Sequence, residues 1–405
     1  MQDLILKALL PLKTYCEHEQ FKGWDPYDGL NSRVFQALPW LKNSALCRLV
    51  VIQGFKRFPF NLRRLALVPK QYNAKGVALA LQAYCNMHST VARMPESAVS
   101  IGTLEELEQQ VNNLAQLLIS LRSQGNYHGA CWGYNFDWQA RRLFLFPKGT
   151  PTVVATNFAA TALMSAYELT HNNEYLDVAL SSAEFVMNDL HRTPNEGGFL
   201  FSYSPLQGND TVFNASLLGS RLLSYAYHYT GNEKYRDAAR DSVLACVSGQ
   251  REDGSWVYGM LPVQAWVDSF HTGYNLDALQ AYEQLTGDVT FRNRKEMGLK
   301  YYLDNFFEAD GCPKYYDNKK WPIDIHCPAQ LMVTLRRMGQ FEANIATVRK
   351  VLSWTIDNMQ DKREGYFYYQ LKPLISSRIS YMRWSNAFML YSLSYALLPP
   401  NAPTK

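Results

Sequence analysis

A turn recurs along this chain at a nearly constant interval. His171-Asn172-Asn173-Glu174-Tyr175-Leu176, Gly231-Asn232-Glu233-Lys234-Tyr235-Arg236 and Gly287-Asp288-Val289-Thr290-Phe291-Arg292 echo one another. Their aromatics, Tyr175, Tyr235 and Phe291, are 60 and 56 residues apart. That period exceeds a bare helix pair and leaves room for two helices and a substantial loop. In each echo a Gly or Asn ends one helix and a polar residue caps the next. The helices before the turns, Asn157 to Thr170, Asn214 to Thr230 and Phe270 to Thr286, are rich in Ala, Leu, Ser and Tyr and poor in charge. They read as apolar nearly all round, as buried helices do. Those after the turns, Glu174 to Leu190 and Lys234 to Val247, put Leu, Val and Ala on one stripe with charges between, the pattern of a surface helix.

The alternation extends both ways. Tyr72 to Tyr84, Ile323 to Met338 and Ile379 to Leu397 are further inner candidates, and Thr103 to Leu121 and Glu342 to Met359 further outer ones. Six inner helices result, each with an outer partner, the N-terminal helices supplying the sixth. The expectation is an all-α protein, an (α/α)6 toroid with short β-hairpins on one rim; an open solenoid is the alternative. It is read as one domain over 1–405. Residues 1–65 form N-terminal outer helices and a connection, and residues 66–400 alternate inner and outer helices.

Composition suits this reading. With 47% hydrophobic and 19% charged residues the chain can bury a large core. Lys plus Arg is 40 and Asp plus Glu 36, too even a balance to argue for nucleic acid. The seven cysteines contain no CxxC pair, which excludes a zinc ribbon and argues for reduced, buried thiols. The N-terminal stretch carries Asp3 and is broken by Lys7 and Pro11, unlike a signal peptide. No window reaches the ~20 apolar residues of a membrane span. A cytoplasmic protein without a membrane span is expected. Phosphate-cradling GxxxxGK[ST] and GxGxxG motifs and the GxSxG elbow are missing from the sequence, and no cofactor or metal is expected.

Connections from outer to inner helices are long and aromatic, at 131–139, 197–205, 253–259, 314–326 and 365–384, and their alternating aromatics beside Gly suggest short β-hairpins. All lie at the same end of the barrel because each leads into an inner helix. That rim carries Trp132, Tyr134, Trp138, Tyr203, Trp256, Tyr258, Trp266, Tyr316, Trp321 and Trp384. The rings either stack on a ligand or pack the loops onto the barrel mouth. Polar residues gather where inner helices begin: Asn73 and Lys75, Asn157, Asn214, Asp268, His271 and Asn275, Asp324 and His326, and Arg383. Each Asn or Asp taken alone reads better as an N-cap. Together they describe a bowl suited to an anionic or polyhydroxylated ligand.

Asp268 and His271, three apart, share a helix face. Asp324 and His326 lie two apart. A carboxylate beside an imidazole in a half-buried bowl can act as general acid and base. Asp137, between Phe136 and Trp138, is a third acid candidate, because an apolar surround raises a carboxyl pKa. The catalytic candidates are therefore Asp268, Asp324, Asp137, His271 and His326. The binding candidates are Lys75, Trp132, Tyr134, Trp138, Asn157, Asn214, Trp256, Tyr258, Trp266, Asn275, Arg383 and Trp384. For Asp268 three roles stay open: catalysis, N-capping, and pairing with a cation such as Lys75 or Arg383.

Gln250 to Trp256, QREDGSW, resembles the Gln–Trp motif that ties repeat to repeat in squalene and oxidosqualene cyclases. The cyclase acid motif is missing from the chain, so that resemblance implies the fold only. A second resemblance covers nearly the whole chain. It rests on Trp24-Asp25-Pro26-Tyr27-Asp28-Gly29-Leu30-Asn31, Gly133-Tyr134-Asn135-Phe136-Asp137-Trp138-Gln139, Gly149-Thr150-Pro151-Thr152 and Trp266-Val267-Asp268-Ser269-Phe270-His271-Thr272-Gly273-Tyr274. These strings resemble those of a bacterial family of exopolysaccharide, capsule and O-antigen loci similar to six-hairpin glycosidase toroids. The resemblance implies making or tailoring of a surface polysaccharide, with an oligosaccharide or polysaccharide as substrate and polysaccharide-assembly proteins as candidate partners. The leading expectation is an enzyme acting by hydrolysis, elimination or epimerisation on an acidic, uronate-type glycan, whose carboxylate Lys75, Arg383 and the helix N-termini could hold. A non-catalytic glycan-binding or scaffold subunit and a terpenoid cyclase-like or prenyltransferase-like enzyme are the alternatives.

Overall fold

The computed structural model describes residues 1–139 and 145–399; the remainder of the expected domain, 140–144 and 400–405, lies outside it. Twelve helices among the described residues form two concentric rings. In chain order they are α1 (Gln2–His18), α2 (Ala74–Arg93), α3 (Leu104–Ser120), α4 (Val153–Thr170), α5 (Asn173–Asn188), α6 (Phe213–Thr230), α7 (Glu233–Val247), α8 (Ser269–Thr286), α9 (Arg292–Asn305), α10 (His326–Arg337), α11 (Ile345–Met359) and α12 (Ala387–Leu397). The even-numbered helices are inner. Every residue of α10 and α12 is buried, as are two thirds or more of α4, α6 and α8. The odd-numbered helices bury one stripe; in α3 it is Leu107, Val111, Leu114, Ala115 and Leu118, behind a Thr103–Glu106 capping box. Each inner helix packs on the next, and α12 packs back on α2. The ring is closed, and α1 lies against α12 as the sixth outer helix. The toroid holds and the open solenoid does not. No described helix is long and apolar enough to cross a membrane.

The recurrent turns have one construction. α4, α6 and α8 end on a left-handed residue, His171 (φ 55°), Gly231 (φ 68°) and Gly287 (φ 76°). The Asn172 and Asn232 side chains then cap α5 and α7. At the opposite end a second device recurs. Trp132 Nε1 donates to Leu118 O at 2.8 Å, and Trp256 Nε1 to Cys246 O at 3.1 Å. Each indole pins a long connection onto the end of the preceding outer helix. Both are buried, 0% and 2% exposed, so the expectation that Trp132 and Trp256 stack on sugar is corrected. Gln250 Nε2 reaches Arg294 O in α9 at 2.8 Å, the repeat-to-repeat tie that the QREDGSW string implied. Gln360 Nε2 repeats it onto Ala8 O of α1 at 3.0 Å, fastening the two ends of the chain together.

The rim holds three small antiparallel sheets: β1 (Trp138–Gln139) with β2 (Leu145–Phe146), β3 (Arg192–Asn195) with β4 (Gly198–Phe201), and β5 (Ile323–Asp324), β6 (Tyr368–Leu371) and β7 (Ser377–Ser380) in that order. The expected hairpin at 253–259 is replaced by isolated bridges, Gln250 to Trp256 and Val212 to Gly259. Trp256 turns inward there, and Gly254 lies so close to Met297 O that a Cβ would sit 2.4 Å from it. The N-terminal segment differs from expectation too. Only α1 joins the outer ring. The next helices, Arg33–Gln36, Pro39–Asn43 and Ala45–Arg57, belong to a cover over the rim loops. It is held there by Asn31 Nδ2 to Asn135 O at 2.9 Å and Arg48 Nε to Gln139 Oε1 at 2.8 Å.

Candidate active site at the toroid mouth

At the start of α8 a single carboxylate does two things. Asp268 Oδ1 accepts the backbone N–H of His271 at 3.0 Å and so caps the helix. Its Oδ2 accepts from His271 Nδ1 at 2.7 Å and from Trp266 Nε1 at 3.1 Å. Both oxygens are therefore engaged, and the Asp268 side chain is wholly buried while that of His271 remains 20% exposed. The imidazole lies between Phe270 and Tyr258, centroids 4.1 and 4.7 Å away, and Tyr258 stacks on Trp266 at 4.6 Å. With Nδ1 held as donor, Nε2 is the nitrogen left to meet a substrate.

The second expected pair is built differently. Asp324 does not touch the His326 ring. Its Oδ1 accepts the His326 backbone N–H at 3.0 Å and Trp384 Nε1 at 2.9 Å, and its Oδ2 accepts Gln370 Nε2 at 2.6 Å. Burial pushes its carboxyl above the ordinary range despite these three bonds. Asp324 thus joins α10, the β6 strand and the Trp384 turn. The His326 ring stacks on Phe388 at 3.8 Å and faces Phe270 at 4.8 Å. The Tyr274 hydroxyl shares a 2.7 Å hydrogen bond with its Nε2 and accepts from Lys75 Nζ at 3.1 Å. Burial, then the charges of Lys75 and Arg383, hold His326 well below the usual histidine range. Burial and Arg383 likewise lower Lys75. Lys75 sits 4.2 Å over the Phe158 ring, sealed among aromatics, so it is not the mouth cation expected for a substrate carboxylate.

Arg383 is also engaged. Its Nε and Nη2 bind Asp25 Oδ2 and Oδ1 at 2.5 and 2.9 Å. Burial alone would lower Arg383; the Asp25 charge outweighs that and raises it. Asp25 in turn is tied to Arg63, whose Nη2 donates to the Asp25 carbonyl and whose Nε pairs with Asp28 at 2.7 Å. All four side chains are buried. The partner of Arg383 is Asp25, not Asp268. Above this network Tyr134 faces Arg383 at 5.1 Å and shares a 2.9 Å hydroxyl–hydroxyl bond with Tyr203. Tyr27 bridges Trp138 and Trp384, centroids 6.3 and 5.8 Å away, and Lys56 donates to its hydroxyl. Sequence reasoning missed Asp25, Tyr27, Asp28, Lys56 and Arg63. The string WDPYDGLN held three of them and was the available signal.

The structure thus brings together Asp268, His271, Trp266, Tyr258, Asp324, His326, Trp384, Tyr134, Arg383, Trp138 and Lys75. Others fall elsewhere. Asp137 Oδ1 accepts the Lys148 backbone N–H at 2.7 Å and so ties the residue before β1 to the segment after β2. Asn157 is fully buried between inner helices, donating to Leu218 O at 2.8 Å and accepting from Arg221. Asn214 and Asn275 are buried on α6 and α8, each with an Oδ1 unpartnered among the described residues. No cluster of three His, Cys, Asp or Glu that could hold a metal occurs among those residues. Next to Tyr134 opens a cleft of about 510 Å³ with Tyr72, Tyr127, Arg122 and Lys148 in its walls and no carboxylate.

Many solved structures share this architecture, three of them as follows. Cellobiose 2-epimerase from Bacillus thermoamylovorans superposes with a TM-score of 0.59 at 15% identity, over 80% of this chain and 89% of that one. A GH76 α-mannanase of Bacteroides thetaiotaomicron gives 0.59 at 16%, over 80% and 86%. An unsaturated glucuronyl hydrolase of a Bacillus species gives 0.60 at 10%, over 97% and 96%. This chain has the six-hairpin glycosidase-like (α/α)6 fold. At such identities the likeness speaks for the fold alone. No family model and no curated protein matches the sequence.

Proposed function

We propose that this protein is a carbohydrate-active enzyme acting on an acidic glycan, with His271 as its proton-transfer group. One observation carries the proposal: Asp268 holds His271 Nδ1 at 2.7 Å among aromatic rings, while the side chain stays 20% exposed and its Nε2 has no hydrogen-bond partner among the described residues. A carboxylate that orients an imidazole and stabilises its charged form is a general acid–base device. The state of the two carboxylates favours elimination or epimerisation over hydrolysis. Glycosidases need two carboxyl groups free to face the sugar, whereas every oxygen of Asp268 and Asp324 already accepts a bond within the protein.

The acidic preference rests on the cleft beside Tyr134, whose described walls carry Arg122 and Lys148 and no carboxylate, rather than on Lys75 and Arg383. A role in making or tailoring surface polysaccharide is supported by the four resembling strings. Two of them turn out to hold Asp25, Asp28, Asp268 and His271, the charged parts of the mouth.

Uronate-containing oligosaccharides and neutral counterparts, incubated in D2O, test this reading. Elimination appears as an ultraviolet-absorbing unsaturated product, and epimerisation as deuterium on the ring carbon that inverts. His271→Asn should lower either signal by about 10²–10⁴. Affinity for the acidic glycan should exceed that for the neutral one and weaken with salt. Release of reducing ends without deuterium uptake would replace proton abstraction by hydrolysis. Tight binding with no product from any glycan would leave a binding subunit instead.

A further inference from the structure

The cover over the rim has an outer face that the toroid does not use. Between residues 34 and 67 large apolar side chains stand in solvent: Trp40 (68% exposed), Leu46 and Val50 one helical turn apart, Phe58, Phe60 and Leu65 (79%). The tip between β6 and β7 adds Leu374 (95%) and Ile375. The two segments meet where Lys372 Nζ donates to the Arg57 carbonyl at 3.4 Å. Singly exposed apolar residues are ordinary; this many from two adjoining segments mark an interaction surface.

The charge around them says with what. No Asp or Glu occurs between Asp28 and Glu96, or after Glu364. Arg33, Lys42, Arg57 and Arg64 are exposed on the cover with no ion-pair partner among the described residues, whereas Lys70 pairs with Glu19. Lys372 is crowded by Arg57 and Lys56, and burial together with these two charges lowers its pKa. Like charges gathered without a counter-ion await an anionic partner. Apolar and aromatic tips interleaved with cations are the composition of a segment that lies in the lipid headgroup region.

We propose that this face docks the protein peripherally on a bilayer rich in anionic lipid. Leu374, Ile375, Phe58, Phe60 and Trp40 enter the headgroup–acyl boundary, while Lys42, Arg57 and Arg64 meet lipid phosphates. The cover also carries Lys56 and Tyr27, so docking brings the toroid mouth close to the membrane surface.

Flotation of the full chain with vesicles tests this directly. The protein should float with phosphatidylcholine–phosphatidylglycerol vesicles, far less with pure phosphatidylcholine, and be released by salt. Leu374→Ser with Ile375→Ser, or Phe58→Ser with Phe60→Ser, should lower partitioning at least about tenfold. Lys42→Gln, Arg57→Gln and Arg64→Gln should each lower it about fivefold on the anionic vesicles. Unchanged circular dichroism and melting show that these surface variants fold. No flotation with either vesicle, or flotation indifferent to the variants, overturns the proposal. So does light scattering that finds a dimer which does not float and which the serine variants convert to monomer, because the face then seals against a second copy.

Discussion

Asp268 shows how one side chain can serve fold and chemistry together. Asp268→Asn keeps an oxygen for the His271 backbone N–H, so the cap of α8 survives. Its amide nitrogen cannot accept from Nδ1, and the imidazole loses the group that orients it. Turnover should fall by about 10²–10⁴, and because the Trp266 Nε1–H loses its acceptor as well, stability should fall by about 1–3 kcal/mol. Asp268→Ala loses the cap as well, at a further cost of about 1 kcal/mol in chemical denaturation. A fully active Asp268→Asn protein would remove the dyad from the mechanism. This dyad was readable in sequence because its members lie three residues apart. Its deeper neighbours were not: Lys75 meets Tyr274 across 199 residues, and Asp25 meets Arg383 across 358. His326 has its own consequence. Neutral and buried in the fold, it takes a proton less readily than in the unfolded chain, where histidine titrates near pH 6.5. Its contribution to stability is complete above that pH. It is lost as pH falls below, at about 1.4 kcal/mol per unit until the folded group itself titrates. Asp324, raised by burial, acts in the opposite sense over the carboxylate range. The histidine's share is therefore the difference in slope between wild type and His326→Gln, between about pH 5.5 and 6.5; equal slopes would contradict it.

At the scale of elements the recurring parts are fasteners. Trp132 and Trp256 hold connections to the ends of α3 and α7, and Gln250 and Gln360 hold one outer helix to the next. Aromatic loops beside glycines announced themselves in sequence, and short hairpins were expected in five of them. The fate of each ring was decided by depth. Tyr134, Trp138, Tyr258, Trp266 and Trp384 surround the mouth, whereas the two fastening indoles turn under their loops to reach a carbonyl. Gln360 is the test of the fastening idea, because its amide serves Ala8 O and Gly365 O at once. Gln360→Ala leaves both carbonyls without that donor and should cost about 1–3 kcal/mol in urea unfolding. Limited proteolysis should then cut first within α1 or the segment after it. Unchanged stability and an intact N-terminus would show that apolar packing alone seats α1.

The whole molecule is a ring, and a ring has no terminal repeat. An open array of helix pairs unfolds from its ends and loses cooperativity with length. Here α2 packs on α12 and α1 on α12, so no pair can leave without opening both neighbours. Calorimetry should show one transition with equal calorimetric and van't Hoff enthalpies; two resolved transitions would mean that the ring opens before it melts. The period of the turns, the contrast between apolar and striped helices and the aromatic connections were enough to set the helix count, the inner and outer rings and the end that carries the mouth. Those features are local: side-chain periodicity and capping act over a few residues, and a repeat multiplies them. The sequence did not decide ring closure, which mouth residues are buried, or which cation each acid meets. Those follow from burial and pairing between residues far apart in the chain, where desolvation penalises any charge left unmatched. Thus Lys75 and Arg383, which look like substrate cations in the sequence, are interior parts of the fold, whereas Arg57 and Arg64 stay exposed on the cover and Arg122 and Lys148 line the cleft.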